Sequence, residues 1–580
     1  MKKRWRFAQL DAGRIGSLER MAGISPVVAQ LLVSRGVVDP QTVRDFLDAR
    51  LSTLRDPDEL PGVAVAAERL LEAVGQEQRI VIYGDYDADG MTAAAVLYRC
   101  LKLLDADVGY YVPNRLDEGY GLNDGALTKL AERGAKVVVS VDCGIASVRE
   151  AETAKQLGID LIVTDHHTPG TELPDAVAVV HPRLAGQAYP FGDLCGAGVA
   201  FKLAWALCQR ASASRKVPPP MREFLLAAIG LVALGTVADV VPLLGENRVL
   251  VKHGLVSLQH TKLPGLAALL AVTELNKKPR LASEDLAFVL APRLNAAGRL
   301  GQAQLGVELL VTDSVDRAQA LAEYIHELNR SRESLERSIY LAANKQVKER
   351  FDPEQDAALV LADAGWHPGV IGIVAGRLAE KYHRPVVMIA LDRLGTRPGS
   401  GSARSPGGLN LHRALDVCRE HLISHGGHAA AAGLKIEEAK LDAFRADFCE
   451  YAAAEMTAED RVAEVRIDAE AALGQLTLST VEQIEQLAPF GAGNPRPILA
   501  TTQVELAGQP RRMGQGERHL MARIRQMGVT LRAVAFGQGD WADEMQQHDG
   551  TFDIAYKPVI NEYAGRRSVE LHLVDWRVPE

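Results

Sequence analysis

An α/β fold on a parallel sheet, joined by a long helix to a smaller α/β domain and followed by a C-terminal β-barrel, is predicted for this chain. Three observations predict it. Apolar runs of strand length at 80–83, 136–141, 161–164 and 177–180 alternate with amphipathic segments of helix length at 91–104, 125–133 and 147–157. Strands that are apolar without a break are those covered on both faces, as in parallel sheets. A polar, periodic stretch free of Gly and Pro fills 316–349 and reads as one long helix linking two domains. Near the end, Val569, Leu571 and Leu573 alternate with Glu570 and His572, which is the period of a half-buried strand.

Each element follows in order. Residues 1–52 read as a helical lead-in, with helical spacing over 25–50. The main α/β domain spans 53–314 and contains a loop at Pro218, Pro219 and Pro220 followed by a long apolar helix over 224–237. The connecting helix takes 315–352. A second α/β domain over 353–458 opens with a strand at 357–361, a helix at 369–381 and a strand at 385–390. Short strands with Gly turns then predict a small barrel over 459–580.

Composition excludes several classes. Hydrophobic residues at 47% and charged residues at 24% fit a globular chain. No apolar run reads as long enough to cross a bilayer, and the basic segment Met1 to Leu10 is followed by no apolar core or cleavage site, so a cytoplasmic protein is expected. The six cysteines are scattered without a CxxC pair, against a zinc ribbon or a disulfide framework. A net charge of −9 argues against a passive nucleic-acid coat but leaves room for a local basic groove.

The chemistry lies in four clusters. The first is Asp85, Asp87 and Asp89, directly after the first apolar run; in an extended chain they would share one face. The second is Asp142, the third Asp165, His166 and His167, and the fourth Asp239 after Gly235. The first three follow three successive strands, and open α/β sheets place ligands at that edge. Taken singly, each has an ordinary explanation: a solvated loop, a core histidine, a helix cap. Jointly they bring carboxylates and imidazoles to one crevice, a donor set suited to Mn²⁺ or Mg²⁺.

These clusters, in this order, resemble the motifs of the DHH phosphoesterase superfamily. Strings such as Leu194-Cys195-Gly196-Ala197-Gly198, Arg293-Leu294-Asn295-Ala296-Ala297-Gly298-Arg299, Trp366-His367-Pro368-Gly369 and His425-Gly426-Gly427-His428 are similar to the RecJ family within it. The resemblance implies a DHH domain, a DHHA1 domain and an OB-fold, and a 5′→3′ exonuclease for single-stranded DNA acting in recombination and repair. It implies two divalent cations, Mn²⁺ or Mg²⁺. Asp87, Asp142 and Asp85 would hold one; Asp89, Asp142, His166 and Asp239 would hold the other, with Asp142 bridging. His167 would contact the scissile phosphate. Many DHH phosphatases carry a His where this chain has Tyr83, and Asp85 is the candidate replacement. Arg115, Arg299, His367, Ser402, Arg404, Gly426, Gly427 and His428 are the implied DNA-binding residues. The implied partners are single-stranded DNA with a free 5′ end, a single-strand-binding protein and a RecQ-type helicase.

On the barrel, the five Arg between Arg511 and Arg525 suit a backbone-tracking surface. Tyr556 and Tyr563 are candidate base platforms, and Trp576 reads as core. Two other readings remain: a small-molecule DHH phosphodiesterase or pyrophosphatase, and a non-catalytic DNA-binding scaffold. The extra C-terminal domain argues against the first, and the filled ligand positions argue against the second.

Overall fold

The computed structural model describes residues 3–114, 118–186, 189–352, 355–563 and 565–579. It divides into two compact units, one of residues 54–462 and one joining residues 1–53 to residues 463–580.

The larger unit opens with a five-stranded parallel sheet. Its order is Val108–Tyr111, Ile80–Gly84, Val137–Val141, Asp160–Thr164, Ala178–Val180. The strands Ile80–Gly84 and Val137–Val141 are buried at every position. Their Val and Ile side chains each contribute about 1.5–3 kcal/mol when removed from water. Ser140 is the polar exception, and its hydroxyl donates to the Cys143 carbonyl at 2.8 Å. The edge strand Val108–Tyr111 was not expected; it is short, carries Gly109 and is only partly buried, so it leaves no unbroken apolar run. Because the second strand in sequence lies on one side of the first and the third on the other, strand order switches between Ile80–Gly84 and Val137–Val141. The crevice at such a switch is where open sheets bind ligands.

Helices Ala88–Leu103, Gly196–Ala211 and Pro219–Ala238 pack on one another beside this sheet. The helix Pro219–Ala238 corrects one expectation. It is 20 residues long and contains a stretch of 18 residues with a mean hydropathy of 1.7, enough to cross a bilayer by length and composition. Here it is a core helix, packed against Ala88–Leu103, Gly196–Ala211 and Gly245–Gln259, which accounts for its apolar faces.

A 36-residue helix, Val315–Arg350, follows. Its inner stripe is apolar at both ends, from Ala318 to Ile325 and from Ile339 to Val347, and polar between them at Asn329, Arg332 and Glu336. The first part packs on Pro264–Val272 and Ala291–Arg299, the last on Leu359–Asp363 and Pro368–Tyr382. The polar middle is satisfied by Asn329, Arg332, Glu336 and Arg377, whose guanidinium reaches Glu336 at 2.7 Å. The second sheet runs Leu422–Gly427, Ala431–Ile436, Gly399–Arg404, Val386–Ala390, Leu359–Asp363, antiparallel except for its last pair.

In the smaller unit, seven strands form one sheet that returns on itself where Leu499–Leu506 pairs with His519–Gln526, the closure expected of an OB-like fold. The N-terminal segment is more than a lead-in. Its strand Arg4–Phe7 pairs in parallel with Glu464–Ile467, and Leu18, Val28, Leu31 and Leu32 share a core with Leu473, Val481, Ile484 and Leu520. Tyr556 is fully buried with its hydroxyl 2.7 Å from Thr501 Oγ1, so it is not a base platform. Trp576 packs on the same core, whereas Tyr563 is exposed.

Candidate metal centre

The acidic clusters converge at the carboxyl edge of the parallel sheet. The first does so through a turn, not the extended run expected. The strand ends at Gly84, and Asp87 becomes the N-cap of Ala88–Leu103, accepting from the amides of Asp89 at 2.9 Å and Gly90 at 3.0 Å. An Asp that can cap a helix does so in preference to continuing a strand, because it satisfies otherwise orphaned amides. Asp89 therefore sits in the first helical turn. Its carboxylate accepts from Gly196 N at 2.6 Å and Ala197 N at 2.9 Å, the first amides of another helix.

Asp142 is not a helix cap. It is buried in the left-handed region at φ 62°, a conformation that Asp tolerates better than most residues. Two glycines make the crowding possible. A Cβ at Gly196 would lie 2.5 Å from Asp142 Cβ, and one at Gly235 would lie 2.5 Å from Asp89 Oδ1.

Within this crevice His166 Nε2 stands 3.1 Å from Asp142 Oδ1, 3.5 Å from Asp239 Oδ2 and 4.0 Å from Asp89 Oδ2. Three sets of ligand atoms lie within 4.8 Å of one another: Asp85, Asp87 and Asp142; Asp89, His166 and Asp239; and Asp142, His166 and His167. The electrostatics are those of a cation site. Burial, then the charge of Asp87, pushes Asp89 up to about 6. Burial, then the charges of Asp89 and Asp87, pushes Asp239 up to about 8. Asp142 is raised well above the carboxylate range by burial and by Asp89, Asp87, Asp85 and Asp239. Burial, then the neighbouring His167, pushes His166 down to about 3, which leaves a neutral imidazole with a lone pair to give.

The residues fit a divalent cation on a direct observation. Among the described residues, Asp142 Oδ1, His166 Nε2 and Asp239 Oδ2 are buried and find no hydrogen-bond partner. Buried polar atoms left this way are costly, and a cation among them removes both that cost and the mutual repulsion of the carboxylates. Tyr83 offers nothing to this site. Its hydroxyl donates to Gly121 O at 3.0 Å and accepts from Asn123 Nδ2 at 3.0 Å, within the apolar layer on Val81 and Leu127.

His167 is set apart from His166. Burial alone would lower it, but the hydrogen bond to Asp165 at 2.8 Å and the charge of Asp165 outweigh burial and raise it to about 9. Asp165, buried yet bonded to His167 and to the amide of Ile145, is held down at about 2. Asp165 and His167 were singled out from sequence, but the rest of this supporting layer was missed by reasoning on ligand types alone. It includes His181, whose Nδ1 accepts from Arg183 N at 2.9 Å and whose Nε2 therefore donates to His167 O at 2.7 Å. Arg183 donates to the His166 carbonyl. A signal existed: His181 follows the strand Ala178–Val180, at the same sheet edge as the other clusters.

Most of the remaining candidates lie on the second α/β domain. Arg404 donates to Ser402 Oγ at 3.0 Å, and Gly372 on the helix Pro368–Tyr382 is close enough that a Cβ would meet Ser402 Oγ at 2.8 Å. Ser402 lies opposite Gly433, and Gly433 opposite Gly426, so one row of this sheet is nearly bare backbone. Gly427 pairs with Ala432, and the amide of the exposed His428 donates to Ala431 O. His367 caps the helix Pro368–Tyr382 by accepting from Gly369 N at 3.1 Å. Arg299 donates to Gly369 O at 3.1 Å, while Asn295 on the same helix accepts from Ala88 N in the metal-site turn at 2.8 Å. The segment Asn295–Arg299 thus touches both groups of candidates. Arg115 lies outside the described residues.

A crevice of carboxylates and a neutral imidazole at the switch point of a parallel sheet, backed by a second α/β domain, defines a metal-dependent phosphoesterase of the DHH class. Residues 79–231 match the DHH family, N-terminal domain, residues 355–454 the DHHA1 domain and residues 467–575 the RecJ OB domain. The chain belongs to the RecJ family. It is 37% identical over 584 residues to the single-stranded-DNA-specific exonuclease RecJ of Bacillus subtilis (strain 168), covering 100% of this chain and 71% of that protein. To RecJ of Dickeya dadantii (strain 3937) it is 38% identical over 571 residues, covering 94% and 95%. The crystal structure of Thermus thermophilus RecJ in complex with Mn²⁺ superposes with a TM-score of 0.84 at 34% identity, covering 100% of this chain and 80% of that one. The Mg²⁺ complex of the same protein gives 0.78 at 33% identity, covering 100% and 79%.

Proposed function

We infer that this chain is a metal-dependent exonuclease that hydrolyses single-stranded DNA from the 5′ end to mononucleotides. The observation that carries the reading is the crevice itself, where Asp142 Oδ1, His166 Nε2 and Asp239 Oδ2 are buried without hydrogen bonds, in a chain of the RecJ family. The cofactor is a divalent cation, Mn²⁺ or Mg²⁺. Asp85, Asp87 and Asp142 would hold one ion and Asp89, Asp142, His166 and Asp239 a second, with Asp142 shared. Such a pair supplies an acidified water and neutralises charge on the leaving 3′-oxygen.

The chain's own groups do the rest. His167, kept protonated by Asp165, presents positive charge to the scissile phosphate. Ser402, Arg404 and the bare row at Gly426 suit a terminal 5′-phosphate, which wants a guanidinium and close backbone approach. His367, Gly427, His428 and Arg299 border that region, and Arg115 is a further phosphate candidate. On this reading the enzyme works in the cytoplasm in recombination and repair. A single-strand-binding protein and a RecQ-type helicase are proposed partners, since the helicase would supply the single strand.

The test is digestion of an oligonucleotide labelled at its 3′ end, with blunt duplex and EDTA as controls. Progressive shortening of the labelled strand, only when single-stranded and only with Mn²⁺ or Mg²⁺, is expected. Asp142→Ala forfeits several kcal/mol of charge stabilisation, so its rate falls by roughly three orders of magnitude. Wild-type turnover by that variant rejects the shared-ligand assignment.

A further inference from the structure

Tyr120 stands out as an exposed aromatic beside the crevice. It retains 54% of its exposure, yet its hydroxyl is fixed at two points, 3.3 Å from the Asp142 carbonyl and 3.2 Å from His167 Nδ1. The residue is carried between Gly119 at φ 83° and Gly121 at φ 84°, a left-handed pair that side-chain-bearing residues rarely adopt. Two further rings brace it edge-on, His167 at 5.8 Å and Tyr86 at 6.3 Å between centroids. More than half of the side chain nevertheless remains open to a partner. Tethering the hydroxyl removes the rotamer freedom that a partner would otherwise have to freeze. A rigid aromatic face beside a phosphodiester-cleaving centre matches the π-face of a nucleobase, which stacks without regard to sequence.

We propose that Tyr120 is the stacking platform for the nucleobase next to the scissile phosphate. It sets the register of the strand so that the phosphate falls over the crevice. The proposal rests on the exonuclease reading above and names a substrate contact within it. Tyr120 touches the base and takes no part in proton transfer.

The test is a single-turnover comparison of two single-stranded oligonucleotides, one ordinary and one with abasic sites at its first two 5′ positions. Wild type, Tyr120→Phe and Tyr120→Ala are assayed on both, and Mn²⁺ affinity is measured for all three. Wild type is expected to cut the ordinary strand roughly 10- to 100-fold faster than the abasic one. Tyr120→Phe, which loses the tether but keeps the ring, retains most of that ratio. Tyr120→Ala cuts both strands slowly and at nearly equal rates, while binding Mn²⁺ as tightly as wild type. A Tyr120→Ala protein that still discriminates as wild type does overturns the proposal. So does a Tyr120→Phe protein as impaired as Tyr120→Ala, since the hydroxyl tether and not the ring would then matter. Loss of Mn²⁺ binding in Tyr120→Ala would reduce the residue to a structural one. Failure of wild type to cut either strand rejects the exonuclease reading itself.

Discussion

Asp89 and Asp239 make the metal-free crevice sensitive to pH. Their folded values near 6 and 8 lie above the 3.8 of an unfolded Asp. A group raised in this way holds its proton in the folded state after the unfolded chain has lost it. The contribution of these two carboxylates to the stability of the metal-free protein therefore falls as pH rises from about 4 to about 8. Cation binding reverses the trend, so Mn²⁺ should raise the melting temperature more at pH 8 than at pH 6, which differential scanning fluorimetry reads directly. An equal shift at both values would contradict the cluster's electrostatics. Asp165→Asn tests the supporting layer: turnover should drop about 10- to 100-fold while metal still binds. At this scale the sequence made the carboxylates and histidines visible through their position after apolar runs. The close packing of Asp89 and Asp142 was not visible, because it depends on amides and glycines brought in from elsewhere in the chain, Gly196 and Gly235 above all, whereas the cap at Asp87 is local, made with the amides of Asp89 and Gly90.

Helices carry the crevice as much as the sheet does. The N-terminus of Gly196–Ala211 lends its first amides to Asp89, and Gly196 admits Asp142. Gly196→Ala would place a Cβ 2.6 Å from Asp142 Oδ1. The expected result is a folded protein, destabilised by about 1–3 kcal/mol, with Mn²⁺ affinity sharply reduced in calorimetric titration. Unchanged affinity would mean that Asp142 can move without consequence. The long helix offers a separate test. Glu336→Ala strips Arg332, only 10% exposed, of its buried carboxylate partner and should cost about 3 kcal/mol in chemical denaturation. Helix boundaries were legible from the Gly-free, Pro-free run. The polar middle of that helix could not be explained from sequence, since its meaning lies in Arg377 on another helix.

At the scale of the molecule, the parallel sheet, the long helix, the second α/β domain and the terminal OB-like fold were all readable from period and composition. The edge strand Val108–Tyr111 and the role of the N-terminus were not. Arg4–Phe7 pairs with a strand some 460 residues later, as the Arg4–Glu464 contact records, and no local pattern announces such a partner. Removing residues 1–53 takes Leu18, Val28, Leu31 and Leu32 out of the core they share with the C-terminal strands. Limited proteolysis of that truncation should cut within residues 463–580 while residues 54–462 resist. The central claim is that one buried crevice holds a pair of divalent cations through a shared Asp142. Native mass spectrometry of the full chain with Mn²⁺ tests it most directly. Two ions per wild-type chain and none tightly held by a folded Asp142→Ala chain are predicted; two ions retained by that variant would contradict the account.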